Sequence, residues 1–151
     1  MCTPHTPPTP IPEFDYLHVL LKHVLAERPN ADGVACLEIA RGPRTPWADP
    51  PPELIARLRD GGVGAVPGSE CAQTALAEAQ EGTGWRHTST QRPAERYRIR
   101  VHHVSADSAR LFVDASRSID STGCSYRVRS VESGWEVDLL DPPCAAGTRS
   151  R

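Results

Sequence analysis

The feature that most constrains the fold of this chain is the alternation of polar and apolar residues in its last third. From Arg96 to Val101 the sequence is R-Y-R-I-R-V, so every second side chain is apolar. A period of two is typical of a β-strand with one buried face. Three further runs repeat it, with these apolar pairs on one face: Leu111 and Val113, Tyr126 and Val128, Trp135 and Val137. We therefore predict four antiparallel strands that form a meander.

A different period marks the N-terminal part of the domain, where residues 13–28 predict an amphipathic helix. Apolar residues recur there at steps of three and four, namely Phe14, Leu17, Leu21, Val24 and Leu25. Residues 52–60 and 72–81 favour shorter helices. The fold class that we predict is α+β, with the N-terminal helix packed on a C-terminal four-stranded antiparallel meander and one or two short helices inserted between them.

The last two predicted strands form a hairpin. Ser133-Gly134 suits a two-residue turn. That turn places Arg129 opposite Asp138 on one face and Val128 opposite Leu139 on the other.

Composition divides the chain into three parts. Residues 1–12 form a Thr/Pro-rich tail or spacer, residues 13–141 a single α+β domain, and residues 142–151 a flexible C-terminal tail. Cys2, which heads the Thr/Pro spacer, resembles the lipid-anchored cysteine of a mature bacterial lipoprotein; the alternative is a chance cysteine in an unstructured tail. The expected location is the cytoplasm if Met1 is the native start, and the bacterial envelope or periplasm if a signal peptide was removed.

Cysteine usage predicts disulfides. Cys36 and Cys71 are candidates for one bridge and Cys124 and Cys144 for a second, although sequence alone does not choose among the connectivities. The alternative is reduced thiols in a cytosolic protein. No C-x-x-C pair occurs, so we expect no metal site and no cofactor.

Several sequence runs resemble known folds. The amphipathic helix followed by a sheet that ends in Y-R-V-R…G-W-E-V is similar to cystatin-like and NTF2-like cone folds. The runs V-A-C-L-E-I, P-P-E-L-I-A-R-L and P-G-S-E-C, together with the closing hairpin, resemble small uncharacterised bacterial proteins that are often envelope-associated. The resemblance covers residues 13–140 and implies a fold, with no activity attached to it.

Alternation also gathers arginines on one sheet face. The candidate binding residues are Arg96, Arg98, Arg100, Arg127 and Arg129. Such a face suits an acidic protein partner or another anionic ligand, and the alternative is a solvated face that pairs with Glu136 and Asp138. With 17 basic against 19 acidic residues, and no aromatic side chain alternating with the arginines on their own face of the strands, nucleic acid is not an expected partner. No apolar run is long enough for a transmembrane segment.

A second candidate site involves His103. Neighbouring strand residues point to opposite faces, so His102 and His103 cannot bind one metal, and His103 is expected on the inner face with Tyr97. Beside Tyr126 it could act as a general base in a small NTF2-like enzyme; the alternative is a hydrogen-bonded core histidine. His18 and Lys22, one helical turn apart, are expected to be solvated.

These observations support three functions. The first is a non-catalytic binding or structural module, tethered at a bacterial envelope if Cys2 carries lipid. The alternative is a small NTF2-like enzyme or ligand carrier with a pocket on the concave sheet face. The third is a partner-inhibiting, immunity-type protein that uses the arginine face. The sequence lacks the glycine-rich and nucleophile motifs of common enzymes, which favours the first.

Overall fold

The computed structural model describes residues 13–26, 33–73, 84–117, 120–140 and 145–148. It contains helices α1 (Glu13–Ala26) and α2 (Pro52–Asp60) and a 3₁₀ turn (Gly68–Glu70). The strands are β1 (Val34–Arg41), β2 (Ala65–Pro67), β3 (Cys71–Gln73), β4 (Trp85–His87), β5 (Pro93–Val104), β6 (Ser108–Arg117), β7 (Asp120–Val131), β8 (Gly134–Leu139) and β9 (Ala145–Thr148).

The described strands form one mixed sheet. Its main path runs β2-β1-β5-β6-β7-β8, while the short β3–β4 hairpin joins β5 and β9 joins β7. Strand β1 is parallel to both of its neighbours, β2 and β5. From β5 to β8 each strand pairs antiparallel with the next one in the chain.

The predicted fold class is therefore wrong. The sheet is not a four-stranded antiparallel meander carrying the N-terminal helix, because β1 and β2 extend it by parallel pairing and β3, β4 and β9 add further strands. The prediction failed because a residue pattern shows that a segment is a strand but does not show which strand it pairs with. The predicted short helix over 72–81 begins on β3 residues and otherwise lies outside the described residues.

The main core lies on the inner face of the sheet, which we define as the face of Tyr97, Ile99 and Val101. These side chains are buried together with residues of both helices and of strands β1, β2, β6 and β7. The buried side chains of α1 are Tyr16, Leu17, Leu20, Leu21 and Leu25. The spacing of these residues places them on one stripe of the helix, which explains why this segment is helical in a packed protein.

The opposite, outer face carries a second and smaller core at its β1 end. Val34, Cys36, Val66 and Ala94 are buried there, and Cys71 and Trp85 pack against them. Strand β1 is therefore buried on both faces over most of its length. The β3–β4 hairpin covers this part of the outer face.

The Cys36–Cys71 disulfide fastens that hairpin to β1, as the sequence predicted. It joins residues 35 positions apart, with their Cα atoms 6.3 Å from each other. Cys124 is also disulfide-bonded. Cys144, its predicted partner, and the lipid-anchor candidate Cys2 lie outside the described residues.

The β7–β8 hairpin is present with a register different from the predicted one. Val131 pairs with Gly134, so the two turn residues are Glu132 and Ser133. Arg129 consequently faces Glu136 and Arg127 faces Asp138. Each β7 residue thus pairs with a β8 residue two positions away from the predicted one. Because side chains alternate along a strand, a shift of two positions keeps every side chain on its predicted face.

Neither of the two helices in the described part of the chain is long and apolar enough to cross a membrane.

Candidate functional site

The predicted arginine row lies on the outer face. Arg96, Arg98 and Arg100 alternate along β5, and the strand register places Arg127 on the same face two strands away. This placement follows from the period-two alternation of the sequence. The surroundings of the β5 arginines, however, differ from those of the β7 arginines.

The indole ring of Trp47 contacts the guanidinium groups of two of the β5 arginines. The guanidinium carbon of Arg100 lies 4.4 Å from the centre of the Trp47 ring, and that of Arg98 lies 5.0 Å from it. Both distances are within the range of a cation–π contact. Arg100 also donates a hydrogen bond to the backbone oxygen of Gly42, which fixes its position from a second side.

The loop that carries Trp47 is held by backbone pairing. Ala48 and Ile39 exchange two hydrogen bonds of 2.8 and 2.9 Å, so the loop lies beside the end of β1. Trp47 is partly buried as a result. No sequence pattern associates this tryptophan with the arginines, because only the tertiary course of the loop brings them together.

Trp85 forms a second stack of the same kind. Its ring centre lies 4.3 Å from the guanidinium carbon of Arg96, which also donates a hydrogen bond of 3.3 Å to Ser116. Trp85 is on β4, opposite Ala94 of β5. The β3–β4 hairpin thus supplies the second aromatic ring of the surface, and the disulfide holds that hairpin in place.

Glu38 forms an ion pair with Arg98 within this surface. Its carboxylate accepts a hydrogen bond of 3.2 Å from Nε of Arg98, and both side chains are less than one-third exposed. The backbone of Gly68 lies directly against it: a Cβ at Gly68 would stand 2.3 Å from Cγ of Glu38. We call the group Glu38, Trp47, Trp85, Arg96, Arg98 and Arg100 the Trp–Arg patch.

Replacing Gly68 by alanine is expected to disturb the Glu38–Arg98 pair. The added methyl group overlaps Cγ of Glu38 and lies 3.1 Å from the backbone oxygen of Leu37, so a rigid strand limits the adjustment. We expect Gly68→Ala to lower the free energy of unfolding by about 1–3 kcal/mol. Urea unfolding measures the change.

Gly61→Ala is the matched control. The φ of Gly61 is −82°, and a Cβ there would meet only ordinary contacts of 3.5 Å or more. We expect a change within about 0.5 kcal/mol for this variant. Equal losses in the two variants would contradict the assigned contact between Gly68 and Glu38.

The β7 arginines belong to a separate, self-paired cluster. Arg129 lies 2.8 Å from the Glu136 carboxylate and 3.3 Å from that of Asp138, and Arg127 lies 3.5 Å from Asp138. Exposed ion pairs of this kind contribute little to stability. Of the five predicted binding residues, the structure therefore brings three together with tryptophans and pairs the other two with acids of β8.

His103 is not on the inner face, and that prediction is wrong. The register between β5 and β6 shifts between Val101 and His103, which marks a β-bulge. The extra residue changes the phase of the alternation, so His102 and His103 are both exposed. The alternation of apolar and polar residues in a sequence does not predict where a β-bulge inserts an extra residue.

The three candidate catalytic side chains do not form one site. Tyr97 is fully buried in the main core and donates a hydrogen bond of 3.2 Å to the buried carboxylate of Glu95. Tyr126 lies beside His23, with ring centres 6.2 Å apart. His103 lines two surface cavities, and neither is lined by Tyr97 or Tyr126.

A chain of hydrogen bonds around His87 was not predicted. Its Nδ1 lies 2.8 Å from the hydroxyl of Thr90, and its Nε2 lies 3.0 Å from the carboxylate of Glu70. A hydroxyl, an imidazole and a carboxylate can pass a proton along such a chain. The side chain of His87 is only 9% exposed, however, so these hydrogen bonds serve better to join the 3₁₀ turn to β4.

Within the described ranges, no group of three or more histidine, cysteine or acidic side chains is arranged to hold a metal ion.

No protein-family model matches the sequence, and searches of curated proteins and of solved structures gave no significant match.

Proposed function

We propose that this chain is a non-catalytic binding module whose Trp–Arg patch docks an acidic segment of a partner protein. The observation that carries the proposal is the stacking of Arg98 and Arg100 on Trp47. Arginine and tryptophan are the residue types most enriched among the energetic centres of protein interfaces. Here they occupy one sheet face on elements held by backbone pairing.

Preorganisation is the physical advantage of this arrangement. A free arginine side chain loses considerable rotational freedom when a partner immobilises it. Arg100 is already held by the Trp47 ring and by the Gly42 carbonyl, so less freedom remains to be lost on docking. Its planar guanidinium can still present donors to a carboxylate in a fixed direction.

The disulfide supports a location in an oxidising compartment. Disulfides persist in such compartments, which include the bacterial periplasm and cell surface, and are rare in the cytosol. We therefore retain tethering at a bacterial envelope as part of the proposal. A partner-inhibiting protein would use the same patch, and the nature of the acidic partner would distinguish that role.

Titration of a fluorescein-labelled deca-glutamate peptide, followed by fluorescence anisotropy at low salt, tests the docking surface. We expect saturable binding that Arg100→Gln and Trp47→Leu each weaken by about tenfold. Added salt should weaken it further, because the contact is electrostatic.

Arg127→Gln is the matched control, since it removes the same charge from the same sheet face outside the patch. We expect less than about a twofold effect from it. Equal effects of the two arginine variants would contradict docking at the patch. Binding of a heparin oligosaccharide in place of the peptide would instead identify an anionic glycan as the ligand.

A further inference from the structure

A cleft lies between α1 and the inner side of β8, away from the Trp–Arg patch. Its volume is roughly 400 Å³, within the range of about 300–1,000 Å³ usual for small-molecule sites. It is lined by His18, Val19, Lys22, His23, Trp135 and Val137. The four helix residues lie on one stripe, because their spacing of one and four positions matches the helical turn.

One wall of the cleft is apolar. Val19, Trp135 and Val137 are only partly buried, and they pack against the main core. His23 extends this wall, since its ring meets Tyr126 edge-on with the centres 6.2 Å apart. An apolar chain laid on this wall would cover surface that water now reaches.

The other wall is basic, and none of the six lining residues is acidic. The acids of β8, Glu136 and Asp138, alternate with the lining residues and pair with arginines on the outer face. The nearest acid on α1, Asp15, is 3.0 Å from Arg57 of α2. An anion in the cleft would therefore meet the ammonium group of Lys22 without facing a carboxylate of the lining.

The two basic groups on the polar side of the stripe have different charges at neutral pH. Burial lowers the pKa of His18 below its ordinary value, and the nearby charges of Arg57 and Lys22 lower it further, against the opposite effect of Asp15. His18 is then a neutral hydrogen-bonding group. Lys22, which is exposed at the edge of the cleft, supplies the permanent positive charge.

We propose that this cleft binds a medium-chain carboxylate, with the carboxylate at Lys22 and the alkyl chain against Trp135 and Val137. The one lysine of the sequence is placed where an apolar surface ends, which is the arrangement that an anionic amphiphile requires. The site is independent of the Trp–Arg patch, so either proposal can fail without the other.

Isothermal titration of the full chain at pH 7 with sodium octanoate tests the chemistry of the site. Octylamine and 1-octanol are matched probes that keep the alkyl chain and change the head group. We expect octanoate to bind at one site, and the other two to bind at least about tenfold more weakly. Equal affinity for octylamine, or no saturable binding of octanoate, would overturn the proposal.

Variants locate the bound carboxylate. Lys22→Gln should weaken octanoate binding by about fivefold, and Lys22→Arg should restore it to within about twofold. Arg44→Gln removes an exposed positive charge from the loop after β1 and should have no comparable effect. Val137→Thr, which keeps the shape of the wall and replaces a methyl group by a hydroxyl, should weaken binding of the alkyl chain. A loss of affinity that is the same in Lys22→Gln and Arg44→Gln would place the anion elsewhere.

Discussion

Replacing Cys36 and Cys71 together by alanine is expected to lower the free energy of unfolding by about 4 kcal/mol. The bond closes a loop of 35 residues, and opening it returns conformational freedom to the unfolded chain. A loss of that size is a large part of the 5–15 kcal/mol that roughly spans the stability of natural domains. Urea unfolding under non-reducing conditions measures it, because the bridge at Cys124 stays intact in this variant.

The same variant should loosen a particular part of the structure. Strand β3 begins at Cys71 and pairs with β4, which carries Trp85. Without the bond, amide hydrogens of β3 and β4 should exchange faster than those of β5 and β6, which lie in long antiparallel ladders. Uniform acceleration over the whole sheet would contradict a local role for the disulfide.

Non-reducing mass spectrometry of a proteolytic digest is the control for this experiment. A peptide that joins Cys36 to Cys71 must be found in the native chain. A change in stability below about 1 kcal/mol in the double alanine variant would show that the loop is already restricted when the chain is unfolded.

Residue patterns within a segment correctly predicted the elements whose structure depends mainly on residues that are close in sequence. The stripe of α1 and the alternation of β5 each place apolar groups on one side. Of these, the structure buries Leu17, Leu21 and Leu25 on the helix and Tyr97, Ile99 and Val101 on the strand. Helix α2 begins at Pro52 and ends before Gly61, as proline and glycine at those positions indicate. The pairing of Cys36 with Cys71 was one of several possible connectivities and is the one formed.

Strand pairing was beyond the local pattern. Strand β1 is not one of the four strands of the predicted meander, yet it pairs in parallel with β5, whose residues come about sixty positions later in the chain. One sequence signal was available, because V-A-C-L-E-I-A is almost continuously apolar. Such a run is typical of a parallel strand that is covered on both faces.

The sites were harder to predict than the strands, because they combine residues that are distant in sequence and meet only in the folded structure. Alternation placed the arginines on one face, but no pattern connects Trp47 or Trp85 to them. The β-bulge at His102 and His103 adds one residue and so turns His103 away from the expected inner face. The α1–β8 cleft combines a helix stripe with a distant strand, and only the packing of the two elements reveals it.

The buried stripe of α1 should be sensitive to a change that the surface tolerates. Leu20 is fully buried in the main core, whereas Leu139 is 52% exposed. Leu20→Ala removes apolar contacts and leaves a cavity, at a cost of about 2–5 kcal/mol. Leu139→Ala is the identical chemical change at a solvated position and should cost less than about 0.5 kcal/mol.

Urea unfolding of both leucine variants, with circular dichroism as the probe, measures the difference. A gap of at least about 2 kcal/mol between them requires that α1 be docked in the folded state, because a helix of this length has little stability alone. Similar and small effects would mean that α1 is not part of the core. In that case the cleft between α1 and β8 would have no wall on the helix side. A chain in which α1 is not docked should therefore not bind octanoate.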